Sequence, residues 1–131
     1  MASRKKQKPG ELRVLSIDIG GTGLKASVVD AAGHLLAPRQ RIDTPYPCSP
    51  AVMLGALDEL VAPLLQHNRI AIGFPGVVRN NVVLTAPHFG TKEWEGYPLA
   101  DASAKRFGAP ARMVNDAEMQ GLAVIDRKSV V

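Results

Sequence analysis

The stretch DIGGTGLK, residues 18–25, lies between two apolar segments and decides how the rest of the chain is interpreted. Glycines let a backbone approach a phosphate closely and direct several N–H groups at it. Thr22 adds a hydroxyl donor and Lys25 a cation, and a carboxylate such as Asp18 at the end of a strand suits Mg²⁺ beside phosphates. The stretch therefore predicts a metal ligand at Asp18. It also predicts a phosphate-binding turn made of Gly20, Gly21, Thr22 and Lys25.

The same glycines allow two other interpretations. Gly21, Gly23 and Ala26 fit the dinucleotide-binding fingerprint, with Asp43 about 20 residues further on. That fingerprint requires a helix directly after the glycines, whereas the β-branched residues that follow favour a strand. A plain hairpin turn without a ligand is the second alternative. A P-loop is excluded because the sequence has no matching glycine–lysine motif.

Around this stretch, the apolar patterning predicts an α/β fold with a mixed sheet and flanking helices. The first three strands of the chain are joined by short turns and are predicted to form a β-meander. Pro63 is expected to kink or end the first helix and Gly108 to cap the second. The strands are predicted at residues 12–18, 24–30, 34–43, 69–74, 81–86 and 111–114. The helices are predicted at 51–66, at 98–107, and from Asn115 or Asp116 onward.

Two further segments place chemistry at strand ends. In VNDAE, residues 114–118, Asp116 is a candidate general base and Asn115 a hydrogen-bond partner for a hydroxylated substrate. The alternative is that either residue simply caps the next helix. In GFPGVV, residues 73–78, the turn at Gly76 can present backbone groups to a ligand, although Pro-Gly turns are common in any fold.

Composition limits the classes of function. The chain has 131 residues, 46% hydrophobic and 21% charged, which is typical of one globular domain. Four basic residues lie in the first ten, and the remaining basic residues balance the 12 acidic ones, so the net charge of +4 belongs to a solvated tail. Nucleic-acid binding is not favoured, and neither a membrane span nor a secretory signal is predicted, which favours a cytoplasmic protein. The single cysteine, Cys48, is interpreted as inert.

Taken in order, the three segments resemble the N-terminal half of the ROK family of sugar kinases. Residues 18–25 match the family's first phosphate motif, residues 73–78 its G-x-P-G-x-V turn, and residues 114–117 its Asn-Asp-Ala motif. The stretches TAPHFG at 85–90 and WEGYPL at 94–99 are similar to the polyphosphate glucokinase branch. The resemblance covers about residues 12 to 125.

The resemblance implies the N-terminal lobe of an actin-like, ribonuclease-H-like ATPase fold. It also implies phosphoryl transfer from ATP or inorganic polyphosphate to the 6-hydroxyl of glucose or a related hexose, with Mg²⁺ as cofactor. By the same resemblance Asp116 is the base, Asn115 and Gly76 contact the sugar, and full-length relatives form homodimers. The implied organisation is a basic tail at 1–11, the lobe at 12–125 and a non-matching end at 126–131.

Departures from the family pattern shape what this chain is expected to do alone. The second glycine-rich phosphate motif and the later sugar-binding residues of the family are absent from the sequence. His88 stands where many members have Asn. We therefore expect an incomplete, inactive lobe of a truncated or frameshifted kinase. The alternative is a non-catalytic sugar-binding or regulatory protein of the same family.

Overall fold

A five-stranded sheet in the order β3-β2-β1-β4-β7 forms the centre of the molecule. The computed structural model describes residues 11–64, 66–90 and 92–115. The strands of the sheet are β1 (Arg13–Ile19), β2 (Gly23–Asp30), β3 (Gln40–Asp43), β4 (Arg69–Phe74) and β7 (Ala111–Asn115). A separate two-stranded hairpin contains β5 (Val78–Arg79) and β6 (Val82–Val83).

Strand direction divides the sheet into two halves. The pairs β1–β2 and β2–β3 are antiparallel and form the predicted meander, while β1–β4 and β4–β7 are parallel. Ile17 marks the junction, because it pairs with Ala26 of β2 on one side and Ile72 of β4 on the other. The mixed sheet with flanking helices confirms the predicted fold class, the N-terminal lobe of an actin-like ATPase fold.

One face of the sheet is the core. Leu15, Ile17 and Ile19 of β1 are fully buried, as a two-residue side-chain period requires of a strand with one covered face. Buried apolar residues of both α-helices belong to the same core cluster, among them Leu57 of α1 and Leu99 of α2. The residues between them on β1, Ser16 and Asp18, lie on the other face and are only partly buried.

Both α-helices begin and end at identifiable residues. Helix α1 is Pro50–Val61, and the Ser49 side chain caps it by accepting a hydrogen bond from the Val52 N–H at 3.2 Å. The predicted end at residue 66 is wrong, because α1 stops two residues before Pro63. Helix α2 is Leu99–Phe107, and Gly108 ends it in the left-handed conformation, as expected.

Two predicted strands are shorter in the structure. The strand expected at 34–43 is formed only at β3, and Leu35 makes no more than an isolated bridge to Val29. Pro38 lies between the two and has no N–H to donate to a ladder. The strand expected at 81–86 is reduced to β6, which pairs with β5 across Asn80 and Asn81.

An aromatic cluster fixes the long connection between β6 and α2. Trp94 is fully buried at a short 3₁₀ helix, Lys92–Trp94, and its ring lies 5.3 Å from those of Phe74 and Phe89. The Trp94 Nε1–H donates to the carbonyl oxygen of Cys48 at 2.9 Å. Trp94 thus packs the connection against β4. Within the described residues, no helix has the length and apolar character to cross a membrane.

Candidate functional site

Three strands deliver the predicted motifs to one edge of the sheet. Because β1, β4 and β7 are mutually parallel and adjacent, their carboxyl ends at Ile19, Phe74 and Asn115 lie side by side. Ligands of α/β sheets bind outside the carboxyl ends of such strands. The sheet therefore brings together the glycine turn at residues 20–23, the turn at residues 75–76 and Asn115, although they are far apart in sequence.

The glycine turn is closed by its own backbone and needs glycine for space. The Gly20 N–H donates to the Gly23 carbonyl oxygen at 3.0 Å. None of the turn's glycines is among those with positive φ. A methyl group added at Gly20 would lie 2.9 Å from the Gly23 carbonyl oxygen, and one at Gly21 would lie 3.0 Å from the His88 ring. These glycines are explained by close approach of other atoms, and not by an unusual backbone conformation.

Thr44 and Tyr46 bind the carbonyl oxygens of this turn. We call these two residues the carbonyl clasp. The Thr44 hydroxyl donates to the Gly20 carbonyl oxygen at 2.7 Å, and the Thr44 N–H to that of Thr22 at 3.1 Å. The Tyr46 hydroxyl donates to the Gly21 carbonyl oxygen at 2.5 Å. Sequence analysis missed both residues, because the proline-rich loop around them carries no local sign of a contact with the glycine turn.

Two basic side chains also cover the turn. A methyl group at Gly23 would lie 2.6 Å from the Arg41 guanidinium, so that side chain rests directly on the Gly23 backbone. Arg41 is exposed and also pairs with Asp43 at 2.8 Å. The His88 ring covers Gly21 in the same manner. His88 was singled out from the sequence, whereas Arg41 was not. Arg41 lies opposite Lys25 only because of the register in which β2 and β3 pair, and the sequence alone does not show that register.

Asp18 and Lys25 occupy directly opposite positions of β1 and β2. Opposite residues of antiparallel strands have their side chains on one face at close distance. Lys25 is exposed and Asp18 is half-buried. The two lie beside the glycine turn, as the sequence interpretation requires of a cation and a metal ligand next to a phosphate.

The described residues contain no cluster of three or more potential metal-ligating side chains. Mg²⁺ in sites that bind phosphates commonly keeps several waters and is held by one or two carboxylates together with substrate phosphates. Among the described residues, Asp18 is a carboxylate near this edge of the sheet.

The second turn is joined to the third motif. The Asn115 side-chain amide donates to the Gly76 carbonyl oxygen at 2.8 Å. A methyl group at Gly76 would lie only 2.1 Å from the Thr85 carbonyl oxygen, so this turn lies against the backbone of the β6–α2 connection. Asn115 is the last residue of β7. The helix expected from Asn115 or Asp116 onward and the predicted base Asp116 lie outside the described residues.

Two further interpretations of the sequence can be compared with the structure. The dinucleotide interpretation of Gly21, Gly23 and Ala26 is wrong, because the strand β2 follows the glycines where the fingerprint requires a helix. Cys48 is buried, and burial raises the pKa of its thiol, so the nucleophilic thiolate is disfavoured. Its interpretation as inert agrees with that environment.

Comparisons with known proteins give matches over most of the chain. A family model described as the ROK family matches residues 14–125. A polyphosphate glucokinase of Mycobacterium tuberculosis is 34% identical over 109 residues, which cover 82% of this chain and 41% of that protein. The chain thus spans about two fifths of the length of this relative.

Solved structures extend the similarity to the fold. The inorganic polyphosphate/ATP-glucomannokinase of Arthrobacter sp. strain KM superposes with a TM-score of 0.79 at 32% identity, over 88% of this chain and 49% of that one. A glucokinase of Streptomyces griseus, in complex with glucose and AMPPNP, gives a TM-score of 0.69 at 32% identity, over 80% of this chain and 33% of that one. Similar proteins therefore share this sheet within longer chains.

Proposed function

Because this chain belongs to the ROK family, we propose that it is the N-terminal lobe of a sugar kinase that transfers a phosphoryl group from polyphosphate or ATP to the 6-hydroxyl of glucose. The observation that carries the proposal is the meeting of three motifs at the carboxyl ends of β1, β4 and β7. The similar proteins of Mycobacterium tuberculosis and Arthrobacter are named for glucose or mannose phosphorylation with polyphosphate.

Each motif has a role in the proposed transfer. Gly21 and Thr22 contact the phosphates of the donor through their N–H groups, with Lys25 as a nearby cation. Gly20 belongs to the same phosphate-binding turn, which its own N–H closes on the Gly23 carbonyl oxygen. Bound Mg²⁺ at Asp18 would neutralise part of the phosphate charge. Asn115 and Gly76 face the sugar hydroxyls. Such positioning and charge neutralisation supply most of the catalysis in phosphoryl transfer.

Asp116 follows Asn115 directly and is proposed as the general base. It accepts the proton of the 6-hydroxyl while that oxygen forms a bond to the terminal phosphorus of the donor. The bond from this phosphorus to the bridging oxygen breaks, and its electron pair leaves with the shortened donor. Positioned general bases contribute about 10²- to 10⁴-fold to the rate.

The proposal is tested with a chimera, because the chain covers 41% of its relative. Residues 1–125 are joined to the C-terminal remainder of the Mycobacterium tuberculosis relative, and glucose 6-phosphate formation is measured with polyphosphate and with ATP. We expect turnover by the chimera and none by the 131-residue chain. Turnover by the short chain alone would contradict the interpretation as an incomplete lobe.

Asp116→Ala in the chimera tests the base. The expected loss in kcat is about 10³-fold. Glu59→Gln is the matched control, since Glu59 is an exposed carboxylate near the end of α1, which leads to the amino end of β4, and it should leave kcat unchanged. Near-normal turnover of the Asp116→Ala chimera would refute the role. A chimera that binds glucose without any turnover would favour the non-catalytic alternative, a class represented by a similar ROK family transcriptional regulator.

A further inference from the structure

The hydrogen bonds of the carbonyl clasp determine the direction of the N–H groups in the glycine turn. In a planar trans peptide the C=O of one residue and the N–H of the next point in opposite directions. The carbonyl oxygens of Gly20 and Gly21 are directed at Thr44 and Tyr46. The N–H groups of Gly21 and Thr22 therefore point away from the clasp.

Within the part of the chain that the structure describes, those two N–H groups are available to a ligand. Among the described residues, no acceptor contacts the N–H of Gly21 or of Thr22. Successive N–H groups that converge in a turn form a concave anion-binding site. The carbonyl oxygens that would repel an anion are bonded on the other side, Gly20 and Thr22 to Thr44 and Gly21 to Tyr46.

We propose that Thr44 and Tyr46 are positioning residues for the phosphoryl donor. By holding the carbonyl oxygens of the glycine turn on the side of β3 and α1, they keep its N–H groups directed at the donor phosphates. Neither side chain contacts the donor. This inference rests on the proposed phosphate-binding role of the turn, and it adds how that turn acquires its orientation.

The energetic reason is the softness of a turn built from glycines. A peptide unit that follows a glycine can rotate as a plane, because glycine has few steric restrictions. Rotation would replace an N–H that faces the anion by a carbonyl oxygen, and attraction by repulsion. The Tyr46 hydroxyl opposes rotation of the peptide between Gly21 and Thr22, and the Thr44 hydroxyl opposes that between Gly20 and Gly21.

The two members of the clasp offer different substitutions. Tyr46 is 53% exposed, and its ring lies 6.1 Å from that of Phe89, so Tyr46→Phe removes the hydroxyl and retains the ring contact. Thr44 is buried, so Thr44→Val removes the hydroxyl at nearly constant volume and Thr44→Ser retains it. Tyr97→Phe is a matched control, since Tyr97 lies against Trp94 in the core.

The experiment titrates the 131-residue chain with tripolyphosphate and follows the amide resonances of Gly21 and Thr22 by NMR. Thermal unfolding of each variant is measured in parallel. We expect Tyr46→Phe and Thr44→Val to bind about 3- to 10-fold more weakly, the effect of one lost hydrogen bond. Thr44→Ser and Tyr97→Phe should bind like the parent chain. Tyr46→Phe should lose affinity with an unchanged unfolding temperature, which separates positioning from support of the fold.

Each other outcome contradicts the positioning role, the phosphate site or both. If the parent chain binds tripolyphosphate at Gly21 and Thr22 and Tyr46→Phe binds it equally well, the positioning role is wrong and the phosphate site stands. If tripolyphosphate shifts neither amide in the parent chain, the proposed phosphate site is wrong and the positioning role falls with it. If affinity and unfolding temperature fall together in Tyr46→Phe, the clasp supports only the fold.

Discussion

The glycine turn at residues 20–23 and the turn at residues 75–76 follow neighbouring parallel strands, yet different atoms hold them. In the first, Gly21 and Gly23 are covered by the side chains of His88 and Arg41, and the carbonyl oxygens are held by the clasp of Thr44 and Tyr46. The second lies against a backbone oxygen of Thr85. The end of a side chain can move at little cost, whereas a shift of the Thr85 backbone also disturbs the hydrogen bond of its N–H to the Val77 carbonyl oxygen, 3.2 Å long.

This difference indicates that the two turns at the carboxyl edge of the sheet have different roles. A turn held by side-chain hydrogen bonds can adapt to an anion that arrives and leaves. A turn packed on backbone fixes the distance between the β6–α2 connection and the end of β7, where Asn115 bonds to Gly76. Substitutions should therefore harm stability at the second turn and ligand binding at the first.

The largest expected effect is at Gly76. Gly76→Ala forces its methyl group against the Thr85 carbonyl oxygen, 2.1 Å away, so the backbone must shift. We expect a loss of about 3 kcal/mol in the free energy of unfolding, measured by urea denaturation. Gly55→Ala is the matched control: nothing lies within 4 Å of its added methyl in α1, so a gain of about 0.5–1 kcal/mol is expected. Equal, small effects at both glycines would break the comparison.

Asn115→Ala comes next, with an expected loss of about 1 kcal/mol from the hydrogen bond to Gly76. Glucose affinity, measured on the chimera by calorimetry, should fall as well. The control is Asn68→Ala at the opposite end of the sheet, where Asn68 bonds to the Arg13 N–H and the Glu11 carbonyl oxygen. That variant should lose stability and keep its affinity for glucose. Unchanged glucose binding by Asn115→Ala would remove Asn115 from the sugar site.

Gly23→Ala sharpens the comparison by testing the first turn, as Gly76→Ala tests the second. Its methyl group meets the flexible guanidinium of Arg41, so the cost in unfolding free energy should stay below about 1 kcal/mol. Tripolyphosphate affinity should nevertheless fall, because the displaced Arg41 and the added methyl group alter the surface of the turn. A loss of stability as large as that of Gly76→Ala would show that both turns are equally rigid.

The smallest effect is expected far from both turns, at the ion pair that joins α1 to α2. Arg106 donates to both carboxylate oxygens of Asp58, at 2.8 and 2.7 Å, and this hydrogen bonding holds the pKa of Asp58 below its ordinary value. A lowered pKa in the folded state adds stability above the unfolded pKa of about 4, and that stability is lost as the pH falls through the folded value.

Arg106→Gln tests this pair. The variant should unfold at a slightly lower temperature than the parent chain at pH 7, and the difference should shrink at pH 3. The effect is small because both side chains are largely exposed and surface pairs are screened by water. A difference that grows on acidification would contradict the assigned direction of the pKa shift.

Local patterns in the sequence were sufficient for the strands that form the site. The predicted strand at 69–74 coincides with β4, and those at 12–18 and 24–30 differ from β1 and β2 by one residue at their ends. Apolar runs bounded by glycine and proline carry this information within a few residues. Helix α1 ended early for an equally local reason, the proline two residues beyond it.

The contacts of the glycine turn could not be predicted in this way. Thr44 lies 24 residues from Gly20, and Tyr46 lies 25 residues from Gly21. The need for glycine at position 76 depends on Thr85, which the chain brings back through the β5–β6 hairpin. Such constraints exist only after the sheet has formed, and no periodicity in the sequence records them.

The edge strand β3 affects how readily the sheet pairs with a strand of another chain. An unpaired strand edge is a template on which another chain can add a strand and begin aggregation. Here that edge is four residues long and exposes the side chains of Arg41 and Asp43. A short, charged edge resists such addition. The side chain that covers the glycine turn thus also protects the sheet from growing into a fibril.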